Sequence, residues 1–131
     1  STAVMQAIVG TVSQSGGTPT GALFEYGSNA NGEYLRFPDG TQMCWHSVST
    51  GLTLETALGT LFASSSTVVW TYPAAFSNCF AGSAADAGSS NVLAGHSFEG
   101  TTTSGQYRLF TTASTASVRT GSLFAIGRWF T

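Results

Sequence analysis

Apolar and polar positions alternate in short runs along most of the chain, and Gly, Ser, Asn and Pro interrupt the runs every few residues. That period belongs to strands. The clearest pair covers residues 33–38 and 41–46 around Asp39-Gly40, a strong short hairpin signal. A two-residue loop sets Tyr34 opposite Trp45, Arg36 opposite Met43, Leu35 opposite Cys44 and Glu33 opposite His46. One face then carries Tyr34, Arg36, Met43 and Trp45, the other Leu35, Phe37 and Cys44. A hairpin this apolar on both faces is expected to be covered on both, by a packed sheet and by a neighbouring subunit.

Further strands are expected over residues 22–26, 67–72, 79–84 and 123–130, and a second hairpin over 91–99 and 106–113, turning at 100–105. Residues 4–12 read as a short helix or strand, 13–21 as a loop, 49–66 as ambiguous with a helical turn at 52–58, 85–90 as a loop, and 116–120 as a short strand or turn. The expected fold is all-β, an antiparallel β-sandwich of about six strands. Residues 1–32 are expected to be a lead-in, and residues 33–131 the sandwich domain.

Composition sharpens this picture. The chain has 131 residues, enough for one domain with one core. Its 18 Ser and 19 Thr suggest low complexity, but nine Phe, four Tyr and three Trp supply a real core. Charged residues make up only 8%, against roughly 25% in an average soluble protein. Lys is absent, and the four bases are Arg36, Arg108, Arg119 and Arg128. So few charges suit a subunit buried against copies of itself. A net charge of -2 leaves no basic footprint, so no nucleic-acid partner is expected. No apolar run is long enough to span a bilayer, so no membrane insertion is expected. Residues 1–12 lack the basic start of a secretory signal, and a chain opening on Ser1 is expected to be part of something longer. Cys44 and Cys79 show no metal-site spacing; a disulfide between them is the alternative, and two buried thiols are expected.

The chemistry present points to binding. Glycan hydrolysis needs two carboxylates roughly 5–10 Å apart, and the six acids here are scattered. Glu33 facing His46 reads as a cross-strand pair. There is no GxSxG, no phosphate-cradling motif and no Cys/His pair. His46 or His96 could meet its copies on a three-fold axis, but a lone histidine is usually just hydrogen-bonded, so no metal or other cofactor is expected. No catalytic residue is assigned, and the chain is not expected to be an enzyme. Candidate ligand contacts are Asp86, Asn91, His96, Arg108 and Arg119, from polar stretches and outward strand positions. Tyr34, Arg36, Trp45, Phe124, Arg128 and Trp129 are candidates for an oligomer interface or the core, since the arginines among them are flanked by aromatics.

Three segments resemble a known family. Residues 28–45 follow SNxNGxYxRFxDGTxxCW, residues 72–76 follow YPxxF, and residues 124–129 end in AIGRW. In this order they resemble the C-terminal domains of tailed-phage and prophage tail fibre proteins, over residues 27–131. The second half also looks like the H-type lectin fold, a six-stranded sandwich that forms trimers and binds sugars. That family presents an aromatic and a histidine in the loop after its penultimate long strand. Here the loop reads Ala113-Ser114-Thr115-Ala116, so weak or absent binding of N-acetylgalactosamine is expected. His96 falls roughly where the family can place a basic sugar contact. The resemblance implies a homotrimeric tip at the distal end of a tail fibre, on a virion or a prophage-derived particle, with residues 1–32 connecting to the shaft. Its implied partner is a host receptor, a bacterial surface glycan or outer-membrane protein. The alternatives are a purely structural trimerisation cap and a polysaccharide depolymerase; the carboxylate layout does not favour the latter.

Overall fold

The structure, a computed structural model, describes residues 8–88 and 92–131. Among them the chain is all-β, with twelve strands and no helix. The strands are β1 (Gln14–Ser15), β2 (Thr18–Pro19), β3 (Glu25–Asn29), β4 (Gly32–Arg36), β5 (Thr41–Ser49), β6 (Thr56–Leu58), β7 (Leu61–Ala63), β8 (Val68–Thr71), β9 (Asn78–Asp86), β10 (Ala94–Gly100), β11 (Ser104–Thr111) and β12 (Thr120–Arg128). All their pairings are antiparallel. One five-stranded sheet runs β3-β4-β5-β12-β9. The other has β10 beside β11, with β8 and β7 on successive halves of the far edge of β11 and β6 beyond β7. β1 and β2 form a separate small hairpin.

Side-chain alternation along β12 explains how the first sheet packs. Gly121, Leu123, Ala125 and Gly127 are buried, while Ser122 and Phe124 are exposed and Ile126 and Arg128 half-buried. The inward positions join Cys44 and Ala84 against Trp70, Tyr107 and Leu109 of the second sheet, in one core that also takes Leu54, Tyr72 and Phe76. Two sheets meeting face to face over such a core make an antiparallel sandwich. Trp70, Tyr72 and Phe76 stack edge to face, with centroids 5.1 Å and 4.9 Å apart. Phe98 of β10 lies over Gly82 of β9 and Gly105 of β11, so closely that a Cβ on either glycine would collide with its ring.

Several expectations need correction. The sandwich has more than six strands, in part because β6 and β7 are only three residues long and carry no visible period, whereas β8 falls within the strand expected over 67–72. The boundary expected after residue 32 falls inside the β3–β4 hairpin, since β3 pairs with β4 throughout. The second hairpin pairs Ala94 with Thr111 through to Gly100 with Gly105, as read, but the strand expected over 79–84 runs on to Asp86.

The first hairpin exists with its register moved by one residue. Tyr34 faces Cys44, Leu35 faces Met43, Arg36 faces Gln42 and Glu33 faces Trp45. The cause lies in the turn. Phe37 N–H donates to the Thr41 carbonyl (2.9 Å) and Gly40 N–H to the Phe37 carbonyl (3.1 Å). Three residues, Pro38, Asp39 and Gly40, therefore form the loop, with Gly40 in the left-handed region at φ 102°. Tyr34, Arg36, Gln42 and Cys44 now share the inner face, and Glu33, Leu35, Met43 and Trp45 the outer one.

Candidate functional site

Asp86 ends β9 and Arg119 immediately precedes β12, so the pairing of those strands brings them together across 33 residues. Arg119 Nε donates to Asp86 Oδ1 (3.1 Å) and Nη2 to Oδ2 (2.6 Å), while Nη1 donates to Ser117 Oγ (2.9 Å). Both charged side chains are 3% exposed. Two residues expected to face a ligand thus hold each other, because an unpaired charge at that depth would be very costly. Arg108 does point away from the core, but its Nε donates to the Ser64 carbonyl (2.9 Å). His96 is exposed on the edge strand β10, opposite Leu109. Asn91 lies outside the described residues.

The second group of candidates divides between two faces. Tyr34 and Arg36 turn inward: Tyr34 donates to Glu25 Oε2 (3.3 Å), and Arg36 donates to Gln42 Oε1 (2.6 Å) and sits 3.7 Å from Glu25 Oε2. The Arg36 guanidinium also lies 5.5 Å from the Tyr34 ring centre and 5.9 Å from that of Trp129. Trp129 donates to the Phe37 carbonyl (2.7 Å), and Arg128 Nη2 to the Asp39 carbonyl (2.6 Å), so both tie the chain end to the β4–β5 turn.

Trp45 and Phe124 stand opposite each other on the outer face. One outer row runs Tyr26, Leu35, Met43, Ile126 across four strands, and the next runs Glu33, Trp45, Phe124. Glu33 links them, accepting from Tyr26 Oη (2.5 Å) and Trp45 Nε1 (3.1 Å). Tyr26 is 51% and Phe124 38% exposed. At the end of this face β9 bulges: Ile126 pairs with Ala81 and Gly127 with Cys79, so Phe80 has no partner on β12 and is 63% exposed, and a Cβ on Gly127 would collide with the Asn78 and Cys79 backbone.

His46 does not face Glu33. It projects inward beside Leu123, across from Gly32, where a Cβ would collide with it. Beyond this point β4 has stopped and β5 runs on, so the two sheets part into a cleft of about 230 Å³ that His46 helps line. A second cleft of about 320 Å³ lies between β9 and β10, beside Cys79, Phe80 and Phe98. Both cysteines are free thiols. Burial pushes the Cys44 thiol up to about 11, well away from a reactive thiolate at neutral pH. Burial and a hydrogen bond with Cys79 likewise raise the Tyr72 phenol.

No family model, curated protein or solved structure matches the chain. The site must therefore be judged on its geometry. Among the described residues, no three His, Cys, Asp or Glu side chains gather to hold a metal ion. Glu25 and Glu33 lie on opposite faces of the first sheet, one toward Arg36 and one toward Trp45, so they form no acid–base couple across a shared substrate. An apolar outward face was expected on this hairpin, with Trp45 and Phe124 among its candidates, but its membership was misassigned because the one-residue register shift split Trp45 and Met43 from Leu35. The Asp86–Arg119 pair had no local signal, since its partners meet only through the tertiary strand order.

Proposed function

We propose that the chain is the tip domain of a phage tail fibre, which trimerises and contacts a host surface receptor, either a bacterial glycan or an outer-membrane protein. The outer face of the first sheet carries this reading. Tyr26, Leu35, Met43, Trp45, Phe124 and Ile126 form a continuous apolar surface over four strands. A patch of that kind on a chain with 8% charged residues is a contact surface, because little else would keep it soluble. The fibre-like segments at 28–45, 72–76 and 124–129 supply the setting, and the lectin-like second half supplies the number three. Trimerisation multiplies weak receptor contacts into useful avidity.

Light scattering on the purified chain tests the assembly, with a mass near three times 13.5 kDa expected and a clean monomer contradicting it. Competition between the purified chain and intact particles for host cells tests the receptor contact.

One observation favours a purely structural cap as the second reading. Asp86, Arg119 and Arg108 already bond within the chain. Under that reading the trimer forms, but the chain does not compete for host cells.

A further inference from the structure

The Tyr107 hydroxyl has no hydrogen-bond partner among the described residues, but it lies sealed inside the sandwich against Gly121, out of reach of any ligand. Unused donors at the surface gather instead at a break in the second sheet. β8 pairs with residues 104–107 of β11 and β7 with residues 110–111, so neither short strand covers Arg108 and Leu109. Residues 64–67, Ser-Ser-Ser-Thr, bridge that gap. The linker is tied down at Ser64, which is buried. Its N–H donates to the Leu109 carbonyl (3.2 Å), its Oγ to the Ser66 carbonyl (2.9 Å), and its own carbonyl accepts from Arg108 Nε (2.9 Å). Ser65, Ser66 and Thr67 are exposed, each with a hydroxyl to offer.

Arg108 has more to give than that one bond. Nε is the only nitrogen of its guanidinium with a partner among the described residues, so both Nη groups remain. The other arginines differ. Arg119 spends all three nitrogens on Asp86 and Ser117, Arg36 is held by Gln42 and Glu25, and Arg128 anchors the Asp39 and Phe130 carbonyls. Glu99 shares the outer face with Arg108, opposite Gln106, but makes no ion pair with it. The Ser64 bond holds the guanidinium plane in place, so a cationic fork stands ready beside a pinned, hydroxyl-rich linker. A guanidinium has donors and no acceptor, so its complement is an oxyanion. A carboxylate has two oxygens, which the fork alone would fill; a phosphate group has a further oxygen for the hydroxyls.

We propose that Arg108 and the linker residues Ser65, Ser66 and Thr67 bind one phosphate group of a partner, with the two Nη groups on two of its oxygens and linker hydroxyls on the third. That the phosphate is carried by a host envelope rests on the receptor-binding reading; the site itself rests on the spare fork and the pinned linker.

The test follows the amide and Arg Nε–H chemical shifts of the isotope-labelled full chain as inorganic phosphate is added at fixed ionic strength, with acetate and chloride as parallel titrants. Phosphate is expected to give saturable millimolar shifts at Ser65, Ser66, Thr67 and Arg108. Arg108→Gln should weaken binding about tenfold or more, the effect of losing a charge-assisted pair. That change also removes the Ser64 anchor, so a second variant leaves the anchor alone. Ser65→Ala with Thr67→Val should melt with the parent and bind phosphate about threefold more weakly. Silence, or a phosphate affinity untouched by both variants, would overturn the proposal. Equal shifts with acetate would overturn it in favour of a carboxylate site, and equal shifts with chloride would leave an adventitious ion only. Competition for host cells separates the two readings. A parent chain that does not compete sinks the receptor reading, while the titration still decides this site. A parent that competes, beside an Arg108→Gln chain that competes equally well, shows that the phosphate is not host-borne.

Discussion

Arg119 is 2% exposed and carries a permanent charge, which only its fork onto Asp86 makes tolerable. Such a pair adds little net stability over an apolar replacement, but removing one partner strands the other. Asp86→Ala is therefore expected to cost about 3–5 kcal/mol, read from the shift of the denaturant midpoint at unchanged slope. A loss below about 1 kcal/mol would mean the guanidinium reaches water by another route. Tyr107 is the opposite case, a buried polar atom with nothing to lose. Deleting its hydroxyl relieves a desolvation penalty, so Tyr107→Phe is expected to gain about 1 kcal/mol in the same measurement. A clear loss would show that the hydroxyl has a structural partner, such as a bound water.

At the level of elements, the β4–β5 turn decides which side chains meet. Gly40 has φ 102°, and a Cβ there would strike the Arg128 guanidinium, the group that anchors the Asp39 carbonyl. Gly40→Ala is expected to cost about 1–3 kcal/mol, and Gly82→Ala a comparable amount by displacing the Phe98 ring from between the sheets. Thermal melts of both variants check this; a Gly82→Ala chain that melts with the parent would mean that Phe98 moves freely. The same turn marks how far the sequence can be read. Alternation and turn residues revealed the long strands β5, β10, β11 and β12 and the all-β class. Asp39-Gly40 reads as a two-residue loop, but Pro38 has no N–H to give the ladder, so the ladder closes one step earlier at Phe37 and Thr41. That single step exchanged Cys44 and Trp45 between faces. The candidate site was less legible. Asp86 with Arg119, and His46 with Tyr107, meet only through strand order and sheet packing, which leave no trace in local pattern.

At the scale of the whole molecule, a core of aromatic rings and thiols with very few charges sets both the pH response and the state of assembly. Tyr72 and Tyr107 have phenols raised above 10.0, chiefly by burial, and the Cys44 thiol rises from 9.0 to about 11 for the same reason. Raised values mean that the folded state holds these protons more tightly than the unfolded chain. Their contribution is fully present below the unfolded values and is lost as pH climbs through the folded ones. Stability is expected to be flat with respect to these groups up to about pH 9 and to fall beyond it, with the buried phenols ionising only as the chain unfolds. Phenolate absorbance that rises before the fold is lost would contradict this. The outer sheet face gives the sharper test, because there the fold and the assembly make different demands. Phe124 and Ile126 contribute nothing to the inner face of β12, whose core positions are Leu123 and Ala125. Replacing the two with Ser and Thr keeps a strand-compatible sequence and adds polarity where the isolated chain meets water. In a chain that works alone, such surface changes shift stability by about 0.5 kcal/mol at most, and the mass stays as it was. In a trimer joined through this face they remove the centre of the contact, where a few buried aromatics carry most of the association energy. The expected result is a mass that drops from about three chains to one, in a protein that keeps its β-sheet circular dichroism. A variant that remains trimeric would move the interface off this sheet, and the exposed Phe80 at the β9 bulge would become the next surface to substitute.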